Sequence, residues 1–535
     1  MKKKESKIAD FIKENKSLIA IVILSSVFLF LNLGSRYIAN DESFTVLVGK
    51  TIINNGYPNA YYNGVLINPK NTSFVTIGSK SIYTWSTWLQ EYITSFSMLI
   101  AGKNEFFLRF PFALFALASI VLSYFFIKDL TKKPAIASIS ILLMATSVSF
   151  CLHARQARWY GLVMFFGIAT IYSYWLLLNN RKKSSVYFTI SSIFLFYSNY
   201  LIFFGVILAL IAYMLIFELK KSNFKKFIKP AAFIFLFTFP WFYLTNQFVK
   251  TTGATLNLGR LIFNLALNYY LVFIFLLPLL FLLFFLFLIT KKQERKELLN
   301  KNYLFVFTII IVSILFLSVK ADTLPQIRYL IFMTPLFSLI NATVFYKIYE
   351  KRKIIACILI LLLIFSNLLN LVPFVFMKNL AFKFNSEKAT SQEKEKFIEN
   401  SLKTSFFLSD YIYEITHGYD SVDGEIIEYA LKYGSKNDTF IMNSLGFRNT
   451  FMFYTDMKEA KINDSNIEWI IPRKNDARDI LGDFINNIKN NINLSKYEEI
   501  EIDGNDERWA DTPDLINHRF KTDKNGSIII YHLIE

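Results

Sequence analysis

Between residues 17 and 374 the chain returns repeatedly to runs of Ile, Leu, Phe, Val and Ala long enough to cross a bilayer, and this repetition constrains the fold most. At 1.5 Å per residue, a hydrocarbon core of about 30 Å takes about 20 apolar residues, and only a helix satisfies its own backbone groups there. Ser17 to Leu33 is the first such run and Phe106 to Ile127 the second. Ala135 to Leu152, Gly161 to Leu178, Ser185 to Tyr197, Leu201 to Phe217 and Pro230 to Leu244 follow, two of the set being short for a span. Tyr270 to Ile289, Tyr303 to Val319, Tyr329 to Tyr346 and Ile354 to Phe374 complete a predicted set of about eleven. The fold class expected is an α-helical polytopic membrane protein.

Charge then sets sidedness. The formal net charge of +17 would suggest nucleic acid in a soluble chain. Residues 378 to 535 are net acidic, however, so the basic excess belongs to the membrane part and no nucleic-acid partner is implied. Lys2, Lys3, Lys4, Lys7, Lys13 and Lys16 precede the first run, which lacks a clear cleavage site and reads as an uncleaved helix with a cytoplasmic N-terminus. Basic connections recur at Lys128 to Lys133, Arg181 to Lys183, Lys220 to Lys229, Lys291 to Lys301 and Lys347 to Lys353. Their alternation leaves the 34 to 104 loop and the C-terminus exoplasmic, in a multi-pass protein of the cell membrane. The same parity requires Trp85 to Ala101, apolar on one face, to lie flat at the outer interface rather than to span. The domains expected are therefore a membrane domain over 1 to 376, carrying the large first loop, and an exoplasmic α/β domain over 377 to 535. Strands are expected there at Thr439 to Met442, Ile467 to Ile471 and Ser527 to His532, with a helix over Asp476 to Ile492. Cys151 and Cys357 lie far apart in apolar surroundings and suggest neither a disulfide framework nor a metal cluster.

The candidate chemistry clusters at the outer boundary. Asp41 and Glu42 stand together just after the first span, before a helix predicted over Glu42 to Asn54 and stopped by Asn55-Gly56-Tyr57-Pro58. Neighbours on a helix point about 100° apart, so the two carboxylates should have different jobs. One reading makes Asp41 a general base and Glu42 the group that orients base or acceptor. The other makes Asp41 a helix cap, with Glu42 favourable to the helix dipole. His153-Ala154-Arg155-Gln156-Ala157-Arg158-Trp159-Tyr160 and Arg328 lie on the outer side against the positive-inside trend. Arg155, Arg158 and Arg328 are candidates to bind an anion such as a lipid phosphate, against the alternative of snorkelling to headgroups. Lys80 is a further phosphate candidate, and His153, Tyr160 and Tyr83 are candidates for substrate contact. Arg109 fits an i,i+4 pair with Glu105. No convincing metal-ligand set is present, which favours a metal-independent reaction without excluding a divalent cation.

Asp41-Glu42, the Gly102-Lys103-Asn104-Glu105-Phe106-Phe107-Leu108-Arg109-Phe110-Pro111 opening of the second span, the Arg-rich turn at 153 to 160, and Arg328-Tyr329 with Pro335 resemble the GT-C glycosyltransferases over residues 1 to about 375. The branch most resembled is that of protein O-mannosyltransferases and lipid A aminoarabinose transferases. The resemblance implies a GT-C-like membrane enzyme that takes a sugar from a polyprenyl-phosphate-linked donor on the exoplasmic face, usually with inversion, Asp41 matching the acidic base. Its partners would be that donor, a lipid, glycan or protein acceptor, and membrane lipids. It implies no organic cofactor. Attack by a hydroxyl needs a base at the attacker and positive charge at the leaving phosphate, a division that one carboxylate site and several Arg can meet. The competing class is a transporter or flippase for a lipid-linked saccharide, although transporters place charge at the bilayer midplane.

Overall fold

A computed structural model describes residues 14–69, 73–219, 221–245, scattered positions between 261 and 272, 300–319, 327–366, 408–418, 421–464, 466–473, 480–504, 518–521 and 526–534. All but residue 272 of the span expected at 270 to 289, and residues 367 to 374 of the last expected span, lie outside the described residues. The chain divides into two compact units, Met1–Leu31 with Phe112–Tyr411, and Asn32–Pro111 with Ile412–Glu535. This division groups the first loop with the tail.

The first unit is helical. Among the described residues six helices are long and apolar enough to span: Glu105–Thr131, Trp159–Leu178, Tyr200–Phe217, Phe224–Leu244, Lys301–Val319 and Ile331–Lys351. Pro134–Ala145 and Val148–Ala154, bent 64° at their junction, make a seventh if taken as one span. Ser147 explains the break, because its side chain accepts from the Phe150 N–H and restarts the helix there. Three further expected spans are the shorter apolar helices Lys16–Phe30, Ser184–Ser198 and Lys353–Phe365, so among the described residues six or seven of the expected spans meet the length of a bilayer crossing. Packing here is close: a Cβ on Gly161 would sit 2.2 Å from the Phe112 carbonyl oxygen, which only glycine permits. Asn199 caps Tyr200–Phe217 by accepting from Leu201 and Ile202.

The second unit joins first loop and tail. Helix Asp41–Asn55 ends at Gly56 in the left-handed region, φ 78°, as the Asn-Gly-Tyr-Pro signal predicts. Helix Leu89–Ala101, four residues shorter at its start than expected, packs on it where Gly49 lets Thr94 and Met98 approach. Its opposite face leaves Tyr92, Phe96, Leu99 and Ile100 exposed, the amphipathic division expected of an interfacial helix. Two small hairpins, Tyr61–Tyr62 with Val65–Leu66 and Phe74–Ile77 with Lys80–Tyr83, were not foreseen. In the tail a mixed five-stranded sheet runs in the order Lys458–Glu459, Thr439–Met442, Trp469–Ile471, Ser527–Leu533, Tyr497–Asp503. The first three strands are parallel and the last two antiparallel additions. Helix Ile480–Asn491 stands where 476 to 492 was expected, and Tyr497–Asp503 is a strand that went unforeseen.

Loop and tail are held by polar contacts as well as by packing. Asp456, in the left-handed region after helix Leu445–Thr455, accepts from Lys50 and Tyr62 and pairs with Lys103 at 3.0 Å. Burial pushes the Lys50 ammonium down to about 8 even with Asp456 beside it. Arg448 donates to the Leu66 and Ile67 carbonyls at 2.9 and 2.7 Å and pairs with Glu459 at 3.1 Å.

Candidate functional site

In the second unit, the segment from Leu33 to Glu42 is held by one guanidinium. Arg109 Nε and an Nη donate to the two Glu42 carboxylate oxygens at 3.0 and 2.7 Å, a bidentate pair. Its remaining N–H groups reach the carbonyls of Leu33, Arg36 and Tyr37 at 3.2, 2.7 and 3.0 Å. The expected Arg109 to Glu105 pair gives way to this arrangement, because Glu105 accepts instead from the Tyr454 hydroxyl at 2.7 Å. A buried guanidinium is best compensated by a planar carboxylate in register with it, and Glu42 supplies one where an i+4 neighbour on the same helix presents its carboxylate elsewhere.

This geometry separates the two acidic neighbours. Glu42 is 3% exposed, whereas Asp41 is partly exposed. The helix starts at Asp41 itself, with Asn40 as the residue before it and no side-chain capping bond. The cap position considered for Asp41 thus falls to Asn40. Asn40 has φ 48° and ψ −123°, a region costly for a residue with a Cβ, so the backbone just before Asp41 is strained. The strain is held locally, Ser43 donating to the Asn40 carbonyl through both its backbone N–H, at 3.1 Å, and its hydroxyl.

Lys80 begins a hairpin strand, is exposed, and lies over the Tyr57 ring at 5.0 Å. Tyr83, at the end of that strand, is fully buried; its carbonyl accepts from Trp88 Nε1 at 2.8 Å.

In the first unit, Arg155 closes the C-terminus of helix Lys16–Phe30. One of its Nη groups donates to the carbonyls of Phe28, Leu29 and Leu31 at 3.1, 3.2 and 2.8 Å, satisfying the orphan acceptors of the last turn. That contact engages the Arg155 charge at a helix end. Arg158 is the residue preceding helix Trp159–Leu178 and is 9% exposed. Arg328 lies in the Ile327–Tyr329 turn with its guanidinium 5.5 Å from the Tyr329 ring. The Trp159 and Tyr329 rings meet at 5.6 Å, which brings the Arg158 and Arg328 segments together. His153 and Tyr160 are buried beside them, rings 4.9 Å apart, with His153 Nδ1 at 2.8 Å from the Ser149 carbonyl. Among the described residues no group of three or more His, Cys, Asp or Glu is placed to hold a metal ion.

Comparison with known proteins adds a family match over part of the chain and a likeness of fold. Residues 87–244 match the family model described as dolichyl-phosphate-mannose-protein mannosyltransferase. The crystal structure of ArnT from Cupriavidus metallidurans bound to undecaprenyl phosphate is similar with a TM-score of 0.53 and 11% identity, over 97% of this chain and 98% of that chain. The apo form of that protein matches with a TM-score of 0.48 and 12% identity, over 82% and 75% of the two chains. The archaeal oligosaccharyltransferase AglB from Archaeoglobus fulgidus, in complex with an inhibitory peptide and a dolichol-phosphate, matches with a TM-score of 0.44 and 10% identity, over 86% and 70%. No curated protein sequence matches the chain. The family match is thus confined to residues 87–244, and the likeness to the ArnT structure bound to undecaprenyl phosphate is one of fold.

Proposed function

We propose that the protein transfers a sugar from a polyprenyl-phosphate-linked donor to an acceptor hydroxyl on the exoplasmic face, with inversion at the anomeric carbon. Asp41 is the general base, taking the proton of the attacking hydroxyl as the bond to the anomeric carbon forms. The bond from that carbon to the carrier phosphate oxygen breaks, and the phosphate leaves as an anion that needs no protonation. Arg158 and Arg328 bind that phosphate, and Lys80 is a further source of positive charge. Glu42 orients the base through Arg109 rather than touching the acceptor. The ArnT structure of similar fold was obtained bound to undecaprenyl phosphate, a carrier of the proposed class.

The observation that carries the reading is the unequal treatment of two adjacent carboxylates. Glu42 is buried against a guanidinium, while Asp41 keeps access to solvent at the end of a clamped, strained segment. Asp41→Asn tests it in protein reconstituted with a polyprenyl-phosphate-linked sugar and a hydroxyl acceptor. At the first position of a helix the exchange is mild for folding, whereas removing a positioned base costs about 10² to 10⁴-fold in rate. Transfer should fall by that factor with donor affinity unchanged. Near-normal transfer would move the base elsewhere, and movement of intact donor across the bilayer without any transfer would favour a flippase.

A further inference from the structure

We propose that Tyr454, on the C-terminal tail, is a positioning residue for transfer, fixing the segment that carries Asp41 and so tying the tail to the chemical step. The proposal rests on Asp41 as the base. The Tyr454 hydroxyl accepts from the Ile38 backbone N–H at 3.0 Å and donates to Glu105 at 2.7 Å, three residues before the base on one side and at the head of the second span on the other. Its ring meets Tyr37 edge-on at 5.0 Å, and Lys103 Nζ donates to the Tyr454 carbonyl at 2.7 Å. Tyr454 is 8% exposed, and burial keeps its hydroxyl neutral, so both its donor and its acceptor capacities are used.

A second contact from the same tail helix, Leu445–Thr455, reaches still closer to Asp41. The Ser43 hydroxyl approaches the Gly446 carbonyl at 3.3 Å. A Cβ on Gly446 would stand 3.1 Å from Asn40 Oδ1 and 3.7 Å from Asn40 Cα. The tail helix therefore presses its start against the strained residue preceding the base and its end against the backbone leading to it. Arg109 holds the carbonyl groups of this segment, and Tyr454 takes the Ile38 N–H. With both sets engaged, the direction in which the helix leaves residue 40 is determined, and with it the bearing of the Asp41 carboxylate.

The test compares turnover per donor-binding site in Tyr454→Phe, Gly446→Ala and Asp41→Asn, with binding sites counted by labelled polyprenyl-phosphate sugar so that loss of folded protein cancels. Tyr454→Phe keeps the ring and removes the hydroxyl; roughly a tenfold loss in kcat with unchanged donor KM is expected, since a small misplacement of a reacting group is costly. Gly446→Ala should act in the same direction with the Tyr454 hydroxyl intact. In an Asp41→Asn background Tyr454→Phe should cost nothing more, because a residue acting through the base has no effect once the base is gone. Wild-type turnover in both tail variants, or a full additional loss in the double variant, would overturn the proposal while leaving Asp41 as the base. Wild-type turnover in Asp41→Asn would instead remove the reading on which it rests.

Discussion

At the scale of single residues the sequence shows that Asp41 and Glu42 form a pair but not how the pair divides. The partner that divides them, Arg109, lies 67 residues from Glu42, and its distance along the chain hides it from any local rule. Local spacing favoured Glu105, four residues away, yet Glu105 serves Tyr454, a partner 349 residues on. The consequence is a contrast between neighbouring isosteric changes. Glu42→Gln leaves the Arg109 charge buried without its counter-charge and should cost about 3 to 5 kcal/mol, seen as poor insertion or a lower thermal midpoint in detergent. Adding Arg109→Met to Glu42→Gln should return part of the loss, because the unpaired charge goes with it. Asp41→Asn should lose activity at nearly full stability, so the two changes separate on two axes. A Glu42→Gln variant as stable as the parent would show that the bidentate pair does not hold the segment.

At the scale of elements, apolar length and turn chemistry made most helices of the membrane part legible, since a buried span has few alternatives. Asn55-Gly56 marked the end of the Asp41–Asn55 helix for the same local reason. The two-residue strands Tyr61–Tyr62 and Val65–Leu66 left no alternating pattern to read, and Tyr497–Asp503 mixes Glu with Ile on an edge strand whose outward face is charged. The three outer arginines looked alike in sequence, and the elements around them make them differ. Arg155 faces the end of helix Lys16–Phe30, where three carbonyls converge on it, whereas Arg158 and Arg328 stand at element starts brought together by Trp159 and Tyr329. Arg155→Ala should therefore lower stability by about 1 to 2 kcal/mol and leave donor affinity unchanged. Arg158→Ala and Arg328→Ala should weaken donor binding at nearly constant stability, with Lys a partial substitute because it lacks the planar fork. Titration of each variant with the labelled donor, beside its thermal midpoint, checks both; equal losses of affinity at all three positions would return Arg155 to the phosphate site.

At the scale of the whole molecule the informative finding is that residues 32–111 and 412–535 form one unit although some 300 residues separate them in sequence. Charge parity leads to the same association from the sequence alone, by placing both segments on one side of the membrane, but it cannot show that they touch. Lys50, Lys103 and Tyr62 meeting on Asp456, and Arg448 on the Leu66 and Ile67 carbonyls, show that they do. A folded unit of this kind cannot have its halves on opposite sides of a bilayer, because these polar contacts would be lost and the segments left to cross hydrocarbon. With Cys357 replaced to remove its background, single cysteines at Ser79 in the hairpin and Asn437 in the tail, both exposed, should behave identically toward an impermeant thiol reagent on intact cells. The positive-inside rule adds the direction: both should be labelled, while a cysteine at Lys182, in one of the basic connections, should stay protected until the cells are lysed. Labelling at Lys182 with protection at the other two would invert the orientation and put the proposed chemistry on the cytoplasmic face. Opposite behaviour of Ser79 and Asn437 would break the unit itself, and with it the argument that the tail reaches Asp41.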